Sequence, residues 1–400
     1  MNIICVTHAY PRTEGDVAGS FIHRLMVALL NRGHGIEVIA PADRGHATDR
    51  EPLGGIPVTR VRYASPARET LAYSGTMLEA TRSPSGALAA ANLIRAQTSR
   101  MRGMARSGSP DVIHAQWWVP AGVSAWMSWL RPSVPYIVTV HGTDVRMLER
   151  SRIARSLARR VLRSAAAITA VSSYLAAKVA AVAGIDPGDI VVQPMPAEVE
   201  GFTCHSAGGD GIAVVGRLTK QKNLGLVFQA MARLRAEGTD TRLRVIGDGP
   251  ERSALQAQVR SLDIGDRVEF VGAVEPREVP AAVGDADVTV FAATQEGYGL
   301  AAAESFMLGI PVVALQTGGG VTDVVPTSGP GRLIPPDDPV AMADAIRQFV
   351  GDASARELAA AEGRRLKEHL NPTNVAQVFE SVYARARQAS HAHRSAHDDG

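Results

Sequence analysis

The chain has 400 residues, 46% of them hydrophobic, enough for two domains that each bury a core. Its 42 Lys and Arg nearly balance 40 Asp and Glu, which argues against a nucleic-acid binder, although the first 200 residues hold 22 basic against 15 acidic side chains. Two cysteines, Cys5 and Cys204, rule out a disulfide framework or a cysteine metal set. No apolar run approaches the roughly 18 residues of a membrane span. The opening "MNIICVTHAYP" lacks a signal peptide's basic start and long apolar run, so a cytoplasmic protein is expected.

The first apolar run, "NIICVTH", reads as a strand, and "SFIHRLMVALLNRG" as a helix that stops at Gly33. The runs "GIEVIAP", "DVIHAQ", "YIVTVHG" and "AAITAVS" read as further strands. Between residues 43 and 110 the pattern is weak, and "SPARETLAYSGTMLEATRSPSG" reads as a broken helix with loops. The stretch "RMLERSRIARSLARRVLRSA" carries Arg146, Arg150, Arg152, Arg155, Arg159, Arg160 and Arg163. On one helix, Leu148, Ile153, Leu157 and Val161 roughly share a face, with arginines around the rest. Such a helix is either a solvated outer face or one laid against anionic lipid headgroups.

A Pro- and Gly-rich junction follows over residues 193–210. Strands then recur in "GIAVVGR", "LRVIGDG", "RVEFVG", "DVTVFAA", "PVVALQTGG" and "GRLIPP", each followed by a helical pattern or a glycine turn. The architecture expected is α/β, with two doubly wound Rossmann-like parallel-sheet domains over 1–200 and 201–370 and a cleft between them. A helix over 371–388 is expected to return to the first domain. Residues 389–400 read as a disordered tail whose His391, His393 and His397 are solvated.

Two segments of the second domain carry chemistry. In "VVGRLTKQKNLGLVFQAM", Arg217 and Lys222 stand between a strand end and a helix start, where a guanidinium fork, an ammonium and helix amides suit a diphosphate. Alone, the two are equally well read as surface cations. In "EGYGLAAAESFMLGIPV", Glu296 lies on the turn after a strand, Gly297 and Gly299 admit close backbone approach, and Glu304 lies inside the following helix. A helix cap explains one carboxylate there, but not both together with both glycines.

These segments resemble retaining glycosyltransferases of family 4 (glycosyl transferases group 1), which have the GT-B fold. Further landmarks agree in order: "GDVAGSFIHRLMVALLNRGHGIEVIAP", "PDVIHAQWWVPAG", "TVHGTD", "RVIGDGPER", "VEFVGAV" and "TGGGVTDVV". The resemblance implies that Arg217 and Lys222 hold the diphosphate of a UDP- or GDP-linked sugar, with Gly19 approaching it. Glu304 would bind the ribose and Glu296 the hydroxyls of the transferred sugar. Amides of Tyr298, Gly299 and Leu300 would touch phosphate or sugar, and His141 would lie by the anomeric centre, with Asp144 nearby as a further donor-binding residue. Without the resemblance, His141 reads as a core histidine at a strand end.

The implied reaction is retaining, metal-independent hexosyl transfer without a cofactor. The donor is a nucleotide sugar, and the acceptor a glycan, lipid-linked or small-molecule hydroxyl. A peripheral contact with the inner membrane face fits the basic first half, and no nucleic-acid partner is expected. The "DAD" of Asp285–Asp287 precedes a strand and reads as structural rather than as a metal motif. Two departures from the family pattern stand out: "GGGVTDVV" places Asp323 where glutamate is usual, and "PMPAEVEGF" replaces the usual loop before "GF". The alternatives are a nucleotide-sugar epimerase of the same fold and a non-catalytic sugar-nucleotide binder. A nicotinamide dehydrogenase is disfavoured because no G-x-G-x-x-G follows the first strand.

Overall fold

The computed structural model describes residues 1–44, 46–73, 77–108, 110–129, 134–199, 209 and 211–398. Cys204 and most of the predicted junction lie outside the described residues. The chain forms two compact units, Met1–Pro196 with Pro372–Gly400, and Ala197–Asn371.

The first unit begins with β1 (Asn2–Val6), α1 (Ser20–Asn31) and β2 (Gly35–Pro41), followed by β3 (Asp49–Leu53) and β4 (Ile56–Val61). Two helices come next, α2 (Met77–Ala80) and α3 (Pro84–Ser107), then β5 (Val112–Gln116) and α4 (Val123–Trp129). The unit continues through β6 (Tyr136–Val140), α5 (Thr143–Arg150), α6 (Arg152–Arg163), β7 (Ala167–Ala170), α7 (Ser173–Ala183) and β8 (Ile190–Val192). Its eight strands are ordered β3-β4-β2-β1-β5-β6-β7-β8, all neighbours parallel except β3 against β4. Every residue of β5 and β6 is buried, which is why these strands are mainly apolar in the sequence, and the polar His114, Gln116 and Thr139 within them hydrogen-bond to one another.

Two sequence expectations change here. The weak region of residues 43–110 contains the β3–β4 hairpin and the 24-residue α3. The arginine-rich stretch is two helices, not one. The chain breaks at Ser151, which is extended and whose side chain caps α6 by accepting from Ala154 N. The break rotates the faces. Ala154, Ala158, Val161 and Leu162 are buried, whereas Ile153, expected on the inner face, is 82% exposed.

The second unit runs β9 (Ile212–Val215), α8 (Leu224–Ala236), β10 (Leu243–Ile246), α9 (Arg252–Ser261), β11 (Val268–Gly272) and α10 (Val279–Val283). It continues with β12 (Val288–Phe291), α11 (Leu300–Met307), β13 (Val312–Leu315), β14 (Gly331–Ile334), α12 (Pro339–Phe349) and α13 (Ala353–His369). The sheet is parallel throughout, in the order β11-β10-β9-β12-β13-β14. Leu226, Phe228, Met231 and Leu234 on α8 pack with Met342, Ile346 and Phe349 on α12 in a core beneath the sheet.

The last helix, α14 (Pro372–Asp398), belongs to the first unit and continues through most of the segment read as a tail. Its Val375, Phe379, Val382 and Tyr383 are buried, and Tyr383 Oη bonds His114 Nδ1 at 2.9 Å. Glu380 accepts from Arg32 Nε and Nη2, each at 2.8 Å, and pairs with His34 Nε2 at 2.8 Å.

Candidate active site

In the six-stranded sheet the strand order reverses between β9 and β12. An open α/β sheet leaves a crevice at such a point, outside the carboxyl ends of its strands. The loops leaving β9 and β12, with the helix that follows the second, hold the second-unit residues assigned to the donor from the sequence: Arg217, Lys222, Glu296, Tyr298, Gly299, Leu300 and Glu304.

After β9, Gly216 N donates to Ile246 O at 3.0 Å and Leu218 N to Asp248 O at 3.0 Å. These bonds fix the backbone on either side of the exposed Arg217. A short turn over Lys220–Lys222 leads to Asn223, whose left-handed backbone (φ 49°) opens α8. Gly216 makes room for the lysine, since a Cβ there would stand 3.2 Å from Lys222 Cε.

After β12, Glu296 is anchored through its backbone. Its N–H donates to Gly318 O at 2.7 Å, and its carbonyl accepts from Gly320 N at 2.9 Å, which ties in the loop after β13. Its carboxylate Oε1 accepts from Lys222 Nζ at 2.6 Å. Gln221 Nε2 donates to the carbonyl of Gln295 at 2.6 Å. Three loops at the strand ends are thus joined by hydrogen bonds, with a lysine–carboxylate pair at the junction.

Gly299 enters α11 in the left-handed region (φ 93°), and a Cβ there would press on Val321 Cγ2 at 3.0 Å. No side chain caps this helix. The amides of Leu300 and Ala301 have no intrahelical acceptor, so the first turn presents N–H groups and the positive dipole end. Tyr298 is buried, and burial pushes its phenol up. Glu304 lies half-buried in the second turn of α11.

In the eight-stranded sheet the order reverses between β1 and β5. Gly19, before α1, has φ 73°, and a Cβ would stand only 2.3 Å from Ala9 O. His141 follows β6. Its Nε2 donates to Gln116 Oε1 at 2.7 Å, and its ring packs at a tilt against Trp117 with centroids 4.3 Å apart. Burial holds the His141 imidazole well below its usual range, helped by the nearby His114 and His8, so the ring is neutral at pH 7. With Nε2 protonated toward Gln116, Nδ1 is left as an acceptor.

Asp144 is buried, and its carboxylate serves its own surroundings. Oδ1 accepts from the N–H of His141, Gly142 and Val145, and Oδ2 from Trp118 N at 3.0 Å. Burial raises its pKa while these amides oppose the rise. Its contribution is to hold the His141 turn.

Residues 207–366 match the family described as "Glycosyl transferases group 1", and residues 18–196 match "Glycosyl transferase 4-like domain". The chain belongs to this glycosyltransferase family.

A curated relative of the family, 2-deoxystreptamine glucosyltransferase from Streptomyces kanamyceticus, is 31% identical over 55% of the chain, a match spanning 62% of that protein. Glycogen synthase from Mycobacterium tuberculosis is 25% identical over 97% of the chain and 95% of that protein. Among solved structures, sucrose-phosphate synthase from Thermosynechococcus elongatus superposes with a TM-score of 0.79 at 20% identity, covering 97% of this chain and 100% of that one. HepE from Anabaena, solved with UDP and glucose, superposes at 0.71 and 17% identity over 96% of this chain and 99% of that one. The chain therefore has the GT-B glycosyltransferase fold, two parallel-sheet α/β domains.

Set against the family's chemistry, the structure adds residues that the sequence reading passed over. Gln116 sits inside the quoted "PDVIHAQWWVPAG", yet only the fold shows it orienting His141. Trp117 has φ 71°, rare for a bulky side chain, and packs at tilted angles against both His8 (4.1 Å between centroids) and His141 (4.3 Å). Gln221 directly precedes Lys222, which stood out for its charge, and its tie to Gln295 leaves no trace in the sequence pattern. Asp287 accepts from Gly209 N at 2.9 Å and Gly211 N at 3.1 Å, which occupies both carboxylate oxygens structurally. Among the described residues no group of three or more His, Cys, Asp and Glu side chains could hold a metal.

Proposed function

We propose that this protein transfers a hexosyl group from a UDP- or GDP-linked sugar to an acceptor hydroxyl with retention of configuration and without a metal. The observation that carries the reading is the loop junction beside β9 and β12. There Arg217, Lys222 and the uncapped start of α11 offer a guanidinium, an ammonium and free amides at a topological switch point. This donor set suits a diphosphate.

In the reaction proposed, the bond between the sugar's anomeric carbon and the diphosphate oxygen breaks, and its electron pair stays on the diphosphate. Arg217, Lys222 and the amides of Tyr298, Gly299 and Leu300 stabilise the growing charge. The acceptor oxygen bonds the anomeric carbon on the same face, and its proton passes to the departing phosphate oxygen. Glu296 accepts from the sugar's hydroxyls and Glu304 from the ribose. His141, neutral and with Nδ1 unprotonated, accepts from a hydroxyl near the sugar's C6, while Gln116 and Asp144 hold it in place. Gly19 lets backbone approach the diphosphate.

The named relatives act on a small aminocyclitol and on a polymeric glucan, and both suggest an acceptor rich in hydroxyls, free, glycan or lipid-linked. Nucleotide sugars are cytoplasmic metabolites, which supports a cytoplasmic site of action. The test is release of nucleoside diphosphate from a panel of UDP- and GDP-sugars, with and without polyol, glycan and lipid-extract acceptors, in chelator. Release restricted to one donor and stimulated by an acceptor is the expected result. Absence of release with every donor, or binding without turnover, would overturn it, and a requirement for added divalent metal would remove the metal-independent step.

A further inference from the structure

We infer that the exposed face of α6 docks on an anionic phospholipid bilayer. Seen in the fold, this 12-residue helix is sharply two-sided. Ala154, Ala158, Val161 and Leu162 face the protein, and Arg152, Arg155, Arg159, Arg160 and Arg163 are all exposed. Among the described residues, none of these five has a carboxylate within ion-pair distance. Arg159 Nε bonds the carbonyl of Val182 at 3.0 Å. The neighbouring Glu149 is paired with Lys178, so the nearest acid on α5 does not neutralise the row.

A cationic row alone would fit any polyanion. Ile153 decides among them. It is 82% exposed, the most exposed large apolar side chain among the described residues, and it lies in the first turn of this helix. A nucleic acid or a soluble acidic protein segment gives such a side chain little to enter. A bilayer gives it the boundary between headgroups and acyl chains, while the arginines meet lipid phosphates. Arginine suits that interface because its fork bonds phosphate oxygens in pairs. The helix lies flat on the surface in this arrangement; no described helix is long and apolar enough to cross.

The measurement is co-sedimentation of the full chain with vesicles of phosphatidylcholine, with and without phosphatidylglycerol, across a salt series. It needs neither donor nor acceptor, so its outcome is independent of the transfer reaction. The wild type is expected to partition to anionic vesicles and not to neutral ones. The double variant Arg152→Glu/Arg160→Glu is expected to bind at least about tenfold more weakly, since each basic residue near an anionic leaflet is worth roughly fivefold. Ile153→Ser, with every charge kept, is expected to weaken binding several-fold and leave the remainder more sensitive to salt. Unchanged melting temperatures in all variants would show that these solvent-facing changes left the fold intact. No partitioning of the wild type to anionic vesicles, or equal partitioning of wild type and both variants, overturns the inference. So does tighter binding to an RNA or DNA duplex that Ile153→Ser leaves unaltered.

Discussion

Lys222 and Glu296 hold one another at 2.6 Å in a site suited to an anion. In the proposed reaction the intact donor satisfies both partners, because the diphosphate takes the ammonium while sugar hydroxyls donate to the carboxylate. A free nucleoside diphosphate supplies only the first and leaves Glu296 beside added negative charge. Glu296→Gln should therefore bind free nucleoside diphosphate more tightly, by roughly fivefold for a partly exposed pair, while transfer collapses. Calorimetric titration with the diphosphate checks this, and weaker binding in the variant would contradict it. Arg217→Ala should lose about a hundredfold in rate, near 3 kcal/mol, and should also weaken diphosphate binding. Each of the two carboxylates was legible because an acid in an apolar run needs a reason. Their partners were not, since Lys222 and Glu296 are 74 residues apart and the pairing exists only once β9 and β12 lie side by side.

At the scale of elements, the turn into α11 is the most constrained part of the candidate site. Gly299 has φ 93° with Val321 directly against it. Gly299→Ala should cost about 1 kcal/mol or more in backbone strain, lowering the melting temperature by about 2–4 °C for each kcal/mol lost. The Michaelis constant for donor should rise with it, and a variant with unaltered melting and kinetics would refute the role given to this glycine. The core strands were readable because parallel strands buried on both sides need mainly apolar runs. Strand β3, Asp49–Leu53, hid for the opposite reason: four of its five residues are exposed, so no alternation marks it. Helix α3 is rich in alanine, which fits a helix on either face and so blurs the period. The break at Ser151 rests on one serine hydroxyl capping α6, a single-residue event inside a pattern that otherwise continues.

Across the whole molecule, α14 completes the first unit with side chains from the far end of the chain. The Arg32 guanidinium, followed by His34, holds the Glu380 carboxyl down at about 2, against an ordinary value of 4.5. A carboxylate lowered in this way contributes its stability above about 4.5, and that contribution is lost as pH falls toward about 2. Glu380→Gln should therefore melt below wild type at pH 7, with the gap closing across that window. A gap that persisted at pH 2 would assign the loss to something other than this ion pair.

The return of α14 also bears on how the protein is made. Phe379, Val382 and Tyr383 are fully or almost fully buried, and each apolar side chain so placed is worth about 1.5–3 kcal/mol. A ribosome delivers residues 1–196 first, but their core stays open until the final helix leaves the exit tunnel. The second unit, contiguous in the chain, has all its residues available earlier and can close while translation continues. The half of the enzyme that is synthesised first is thus the half that finishes last, and an incomplete nascent chain carries an uncovered apolar surface for as long as elongation takes.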